Sequence, residues 1–122
     1  MHFDDRELTA YSEPMSAEEL TEGDIYFFLT FADGDMLLPS MEPVVFIGRD
    51  LGTDETGIIY FQDLESYQQG IRHNAANSEA AVFYSGPEKE TGHVFEYEHA
   101  LEELMRCSIR RKKTITATKE RR

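Results

Sequence analysis

The stretch that most constrains the fold of this chain is residues 25–31, which read Ile-Tyr-Phe-Phe-Leu-Thr-Phe. In an extended strand, successive side chains point to opposite faces. One face would then carry Ile, Phe, Leu and Phe, and the other Tyr, Phe and Thr. Both faces carry large aromatic groups, so neither face is suited to exposure to water. The pattern therefore predicts an interior strand that supplies a wall of the core.

Further apolar segments and the turn residues between them predict the rest of a sheet. Asp33 and Gly34 follow the first strand directly, and this pair favours a hairpin because glycine adopts a positive φ at low steric cost. The return arm ends at Pro39. We expect an antiparallel hairpin with a long loop over residues 44–61. The remaining strand candidates are residues 44–47, 58–61, 80–84 and 93–95.

Local signals also predict three helical segments. Ser16 and Glu19 match a capping box at the start of a short turn. Asp63 can cap a short helix over residues 64–69, and Gly70 can close it in the left-handed conformation. From residue 97 the apolar period changes from 2 to 3.6, which predicts a longer helix. The residues that show this period are Tyr97, Leu101, Leu104, Met105 and Ser108.

These elements predict an α+β domain. We expect a mostly antiparallel sheet of four or five strands, one short helix, and a longer C-terminal helix packed on one face. The alternative is a curled, small-barrel-like sheet, because many small barrels begin with a similar Gly-Asp entry into a strand. We divide the chain into a loosely ordered arm at residues 1–14, a single domain at residues 15–113 and a basic, frayed tail at residues 114–122.

Charge is distributed unevenly along the chain. The net charge is −12, but residues 1–105 carry 23 acidic and four basic side chains, a net charge of −19. Residues 106–122 carry eight basic side chains and one acidic, a net charge of +7. An anionic body attracts basic partners and repels phosphate backbones and anionic lipids. We therefore expect a basic protein partner, with self-association through the basic tail as a further possibility, and we expect neither nucleic acid nor a membrane.

No arrangement of residues in the sequence identifies a reaction. Cys107 is the single cysteine, which excludes an internal disulfide and favours a reducing, cytoplasmic location. The histidines lack the spacing of a zinc site, and the acidic loops lack that of a calcium-binding loop. Neither a nucleophile elbow nor a phosphate-binding loop occurs. We expect no metal, no cofactor and no catalytic residue.

The leading hypothesis is a non-enzymatic protein-binding or regulatory module of the immunity type, whose acidic loops neutralise a basic partner. Its candidate interaction residues are Asp33, Asp35, Asp50, Asp54 and Glu55. The alternative is a small enzyme or ligand-binding domain with a pocket lined by Tyr26, Tyr60 and Tyr84. Convergence of two of His73, His93 and His99 with loop acids in a deep pocket would favour that alternative.

Overall fold

The computed structural model describes residues 14–34 and 36–120, with side chains up to residue 115. The described strands are β1 (Ile25–Phe31), β2 (Pro39–Arg49), β3 (Ile58–Asp63), β4 (Phe83–Pro87) and β5 (Val94–Phe95). The helices are α1 (Leu64–Gln68) and α2 (Tyr97–Glu120), with single 3-10 turns at Ala17–Glu19 and Ser78–Ala80. The predicted N-terminal arm lies outside the described residues except for Pro14.

The strands form one antiparallel sheet in the order β4-β3-β2-β1-β5. The predicted α+β class is therefore confirmed. The barrel alternative is wrong, because β4 and β5 are the edges of a sheet that does not close. β1 is an interior strand, as its sequence predicts, although the middle position belongs to β2.

β2 is longer than the sequence predicts. It pairs with β1 over residues 39–45 and with β3 over residues 44–49, so one continuous strand replaces the predicted stop at Pro39 and restart after Pro43. Both prolines lie in the half of β2 that pairs with β1 alone. Proline is tolerated there, because a missing N–H on the unpaired side removes no ladder hydrogen bond. Pairing with the neighbouring strands, not local composition, sets the ends of β2.

Two other predicted boundaries differ from the structure. In the connection between β1 and β2, a positive φ occurs at Met36 (59°) and not at Gly34. β4 begins at Phe83 and not at residue 80, because its pairing begins opposite Gln62 near the end of β3. Residues 78–80 instead form a 3-10 turn.

The helix start and stop signals are confirmed. The backbone amide and the hydroxyl of Ser16 both donate to Oε1 of Glu19, at 3.2 and 2.8 Å. Oδ2 of Asp63 accepts a hydrogen bond from the amide of Ser66 at 3.0 Å and so caps α1. Gly70 ends this segment with a φ of 87°.

The two faces of the sheet are covered differently. On the face that we call the helix face, Leu29 and Phe95 pack against Ala100 of α2. On the opposite face, which we call the open face, Ala17 and Leu20 pack over one part of the sheet. The open face carries the core residues Tyr26, Val44, Phe46, Ile59 and Phe61, with Phe28 and Tyr84 beside them. The core thus lies on both sides of the sheet.

α2 runs alongside β1 and then projects past the sheet. The rings of Tyr97 and Phe27 are 5.6 Å apart, and the guanidinium carbon of Arg110 lies 5.5 Å from the ring of Phe31. The ten residues after Arg110 continue as helix to Glu120, a projection of about 15 Å. The predicted tail therefore begins within this helix, and its residues 121–122 lie outside the described part. Across the described residues, no helix has the length and apolarity needed to cross a membrane.

Candidate functional site

The predicted acidic residues lie at two opposite ends of the sheet. Asp33 follows β1, whereas Asp50, Asp54 and Glu55 lie between β2 and β3. Because neighbouring antiparallel strands reverse direction, these two connections are separated by the length of the strands. The acidic loops therefore do not form one continuous surface. Asp35 lies outside the described residues.

Most of these carboxylates hold the backbone of their own loops. Asp33 accepts hydrogen bonds from the amides of Leu37 and Leu38, at 2.9 and 2.7 Å. Asp50 accepts one from the amide of Ile58 at 2.8 Å, and Glu55 accepts one from the amide of Gly52 at 3.0 Å. Their first role is to fix loop geometry, while their charge still contributes to the field around the protein.

The three predicted pocket tyrosines do not line one pocket. Tyr26 is 4% exposed, and its hydroxyl accepts a hydrogen bond from the amide of Thr21 at 2.9 Å. Tyr60 lies on the helix face and donates to Glu55, and this hydrogen bond raises the pKa of Tyr60. Tyr84 lies on the open face, where it pairs in register with Phe61. Each tyrosine lines a different pocket.

The pocket beside Tyr84 lies on the open face and is lined by aromatic rings. We call it the aromatic groove and define it by Phe28, Phe61, Tyr84 and His93. Ring centroids of Phe28 lie 4.9 Å from Phe61, 5.3 Å from Tyr84 and 4.8 Å from His93. The edge-to-face arrangement of the first two pairs is the favourable geometry for aromatic rings. The cavity against these rings has a volume of about 240 Å³.

The sheet brings the groove residues together across a strand. Phe28 is on β1 and Phe61 on β3, with β2 between them, a separation of about 9.6 Å between the two backbones. The rings approach to 4.9 Å because they lean towards each other over β2. Val44, a smaller residue, lies on β2 between the position that pairs with Phe28 and the position that pairs with Phe61. His93 joins them from the segment before β5.

Carboxylates stand at the edge of the groove. Tyr84 donates a hydrogen bond to Oε1 of Glu42 at 2.5 Å, and this bond raises the pKa of Tyr84 to about 12. Oε2 of Glu42 receives no hydrogen bond from the residues that the structure describes. Glu90 is exposed and lines the same cavity. The groove therefore combines apolar ring faces with two acidic groups.

His93 is the titratable group inside the groove. Its side chain is half-buried, and this burial lowers the pKa of His93, whereas the nearby charge of Glu90 acts in the opposite direction. The imidazole is therefore neutral at pH 7. A neutral ring extends the apolar wall and leaves the acidic edge of the groove uncompensated.

The three histidines named in the alternative hypothesis do not come together. His73, His93 and His99 line separate pockets, so the convergence that would favour an enzyme is not found among them. Within the described residues, no three His, Cys, Asp or Glu side chains are placed to hold a metal ion. Cys107, on α2, is 2% exposed. What the groove can do chemically is hold an apolar or cationic group against its rings.

Sequence reasoning identified Tyr84 and named His93 as a possible pocket residue, but it missed Phe28 and Phe61. The sequence predicts a core position for Phe28, because its strand is apolar on both faces, and for Phe61, because it lies in a short apolar run. Their meeting with His93 depends on strand order and on the lean of the rings. The predicted hairpins are the only sequence feature that indicates part of this meeting, because they place β1, β2 and β3 side by side.

Comparison of the chain with protein-family models, with curated proteins and with solved structures returned no match.

Proposed function

We propose that this protein is a non-enzymatic binding module that recognises a basic protein partner and seats one of its Lys or Arg side chains in the aromatic groove. The observation that carries this proposal is a small cavity lined by aromatic rings and by Glu90, with Glu42 hydrogen-bonded to Tyr84 at its edge. A regulatory, immunity-type role follows if the partner needs the same basic side chain for its own activity.

A long basic side chain suits each part of the groove. Its alkyl stem packs on the rings of Phe28 and Tyr84, and its charged end reaches the carboxylates. A cation within about 6 Å of an aromatic centroid gains roughly 0.5–2 kcal/mol, with Arg the more frequent partner. Oε2 of Glu42 and the carboxylate of Glu90 can accept its N–H groups.

The size of the cavity favours a side chain over a small-molecule substrate. Its volume is about 240 Å³, whereas pockets for drug-sized ligands measure about 300–1,000 Å³. A single side chain brings further contacts from the rest of its protein, so a small groove suffices for specific binding.

The charge of the body adds long-range attraction. Residues 1–105 carry −19, and a surface of one sign speeds the approach of an oppositely charged partner. The predicted interaction residues contribute to this field through their charge; they are Asp33, Asp35, Asp50, Asp54 and Glu55. We therefore expect association to slow as salt is added.

The test is binding of fluorescent Arg- and Lys-containing peptides, measured by anisotropy at low and physiological salt. Tyr84→Ala removes one wall of the groove, and we expect it to weaken binding about tenfold, or ~1.4 kcal/mol. Tyr60→Ala is the matched control, because Tyr60 is also bonded to a glutamate but lies on the helix face. It should leave affinity unchanged.

Two outcomes would overturn the proposal. One is that no basic peptide binds even at low salt, and the other is that the Tyr60 and Tyr84 variants lose affinity equally. A pH series gives a further check, because protonation of His93 places a second cation beside the guest. Affinity should fall as the pH drops through the pKa of His93, which burial lowers below the ordinary histidine pKa of 6.5. His93→Leu should remove that dependence of affinity on pH.

A further inference from the structure

α2 carries a row of large apolar side chains that are exposed to solvent, although the ring of the first, Tyr97, also lies 5.6 Å from that of Phe27 on β1. We call this row the α2 stripe and define it as Tyr97, Leu101, Met105 and Ile109. Their side chains are 61%, 47%, 54% and 39% exposed. The helix instead turns Ala100 (1% exposed) and Cys107 (2% exposed) inwards. The apolar period that predicted the helix therefore includes a surface that the fold leaves in water.

The stripe is continuous over three turns. Successive members are four residues apart, and each such step rotates by about 40° around the helix axis. Leu101 and Ile109 therefore lie about 40° to either side of Met105, within one face of the helix. Exposed apolar faces of this kind are characteristic of sites that pack against another surface.

The two ends of the stripe have opposite charge. At the N-terminal end, Tyr97 shares a pocket with Glu19, Asp24 and Glu96. Beyond the C-terminal end, the exposed residues Arg111, Lys112 and Lys113 lie on the part of α2 that projects past the sheet. The acidic and basic ends are separated by about 20 Å, which is the rise of the intervening helix.

We propose that two copies of this chain pair through the α2 stripe, with the helices antiparallel and a two-fold axis at Met105. In this register Met105 meets its own copy, and Leu101 lies opposite Ile109 of the partner subunit. Residues seven positions before and after Met105, Glu98 and Lys112, also lie opposite one another. A shallow crossing of about 20° keeps these residues in contact.

Charge selects the antiparallel arrangement. A parallel pair would set the basic residues 111–113 of both copies side by side, and like charges at close range oppose association. The antiparallel pair places them beside the acidic pocket around Tyr97 of the other copy. Residues 111–113 can reach that pocket because α2 projects past the sheet and carries them beyond their own subunit. The self-association predicted for the basic tail is thus proposed for α2, where residues 111–113, directly before that tail, supply one half of the charge pairing.

The dimer surface and the aromatic groove are on opposite faces of the sheet. α2 packs on the helix face, whereas Phe28 and Tyr84 belong to the open face. Peptide binding and self-association can therefore fail independently, and a negative result for one does not decide the other.

Sedimentation of the full-length protein over a concentration series tests the pairing. We expect a concentration-dependent dimer for the wild type. Met105→Asp should raise the dissociation constant at least about a hundredfold, because the charge enters the interface twice and must lose its water. Val82→Asp is the matched control, since Val82 is 53% exposed in the connection before β4, and it should leave the equilibrium unchanged. Circular dichroism checks that both variants remain folded.

Disulfide cross-linking tests the direction of the helices. A Leu101→Cys protein is mixed with a tagged Ile109→Cys protein and oxidised, while the native Cys107 stays buried. The antiparallel pair predicts cross-links between the two variants and not within either one. Cross-links of each variant to itself would overturn the arrangement. So would a wild type that remains monomeric up to about 1 mM, or a Val82→Asp loss equal to that of Met105→Asp.

Discussion

Truncation of two phenylalanines on the open face distinguishes a groove from a closed core. Phe46 is 0% exposed, its ring lies 5.6 Å from that of Phe61, and the guanidinium of Arg49 covers it at 4.9 Å. Phe28 has three aromatic neighbours but is only half-buried and borders the groove cavity. The two residues have the same side chain in different surroundings.

The expected losses of stability follow from these surroundings. Phe46→Ala should cost about 3–5 kcal/mol, because it removes a fully buried ring and leaves a cavity in packed core. Phe28→Ala should cost about 2 kcal/mol. It loses part of a side-chain transfer energy of roughly 1.5–3 kcal/mol but opens no new enclosed void, since water can already enter the groove.

Urea unfolding followed by far-UV circular dichroism measures both values, and the chain contains no tryptophan that would allow a simpler fluorescence assay. The slope of the unfolding free energy against urea should be unchanged in both variants. If Phe46→Ala is too unstable to purify, Phe46→Leu supplies a smaller step at the same site. Equal losses for the two alanine variants would show that the groove is closed in solution, and the reasoning behind the binding site would be refuted.

Three further predictions concern single groups. Ultraviolet titration should show Tyr84 ionising near its raised pKa of about 12, and Glu42→Gln should return it towards 10.0. Burial alone would raise the pKa of Asp63, but hydrogen bonds from a hydroxyl and two backbone amides outweigh it and lower the pKa. The stabilisation from the ionised Asp63 carboxylate is thus present above the ordinary pKa of 3.8 and is lost as the pH falls below it. Asp63→Asn should therefore lower the free energy of unfolding by about 1 kcal/mol at pH 7. In urea unfolding at acid pH, the stability of this variant should fall less steeply with decreasing pH than that of the wild type. Gly70→Ala should cost about 1 kcal/mol in the same assay, because φ is 87° with no atom within 4 Å, whereas Gly92→Ala, without the positive φ, should cost less.

Local chemistry accounts for the features that the sequence predicted correctly. The cap at Asp63 and the left-handed Gly70 each depend on atoms within a few residues, so their signals are complete in a short window. The interior position of β1 follows from its apolar residues on both faces. The α+β class follows from the spacing of apolar residues along the chain, whose period changes from 2 in the strands to 3.6 in the C-terminal helix.

Strand boundaries were predicted less well, because they depend on partners. β2 continues through Pro43 since β1 pairs with it there and β3 does not. β4 starts at Phe83 because β3 ends nearby. No window of local sequence contains the identity of the neighbouring strand, and strand ends are therefore decided by pairing.

Composition and short-range periodicity are enough to predict the elements, their class and the separation of an acidic body from a basic end. Which surfaces remain open depends on tertiary packing. The aromatic groove needs Phe28, Phe61 and Tyr84 to meet across β2, and the α2 stripe is exposed because the sheet takes the Ala100 side of the helix. The apolar pattern in the chain predicts that one face of the helix is buried. Which molecule buries it depends on contacts between residues far apart in sequence, or between two copies of the chain.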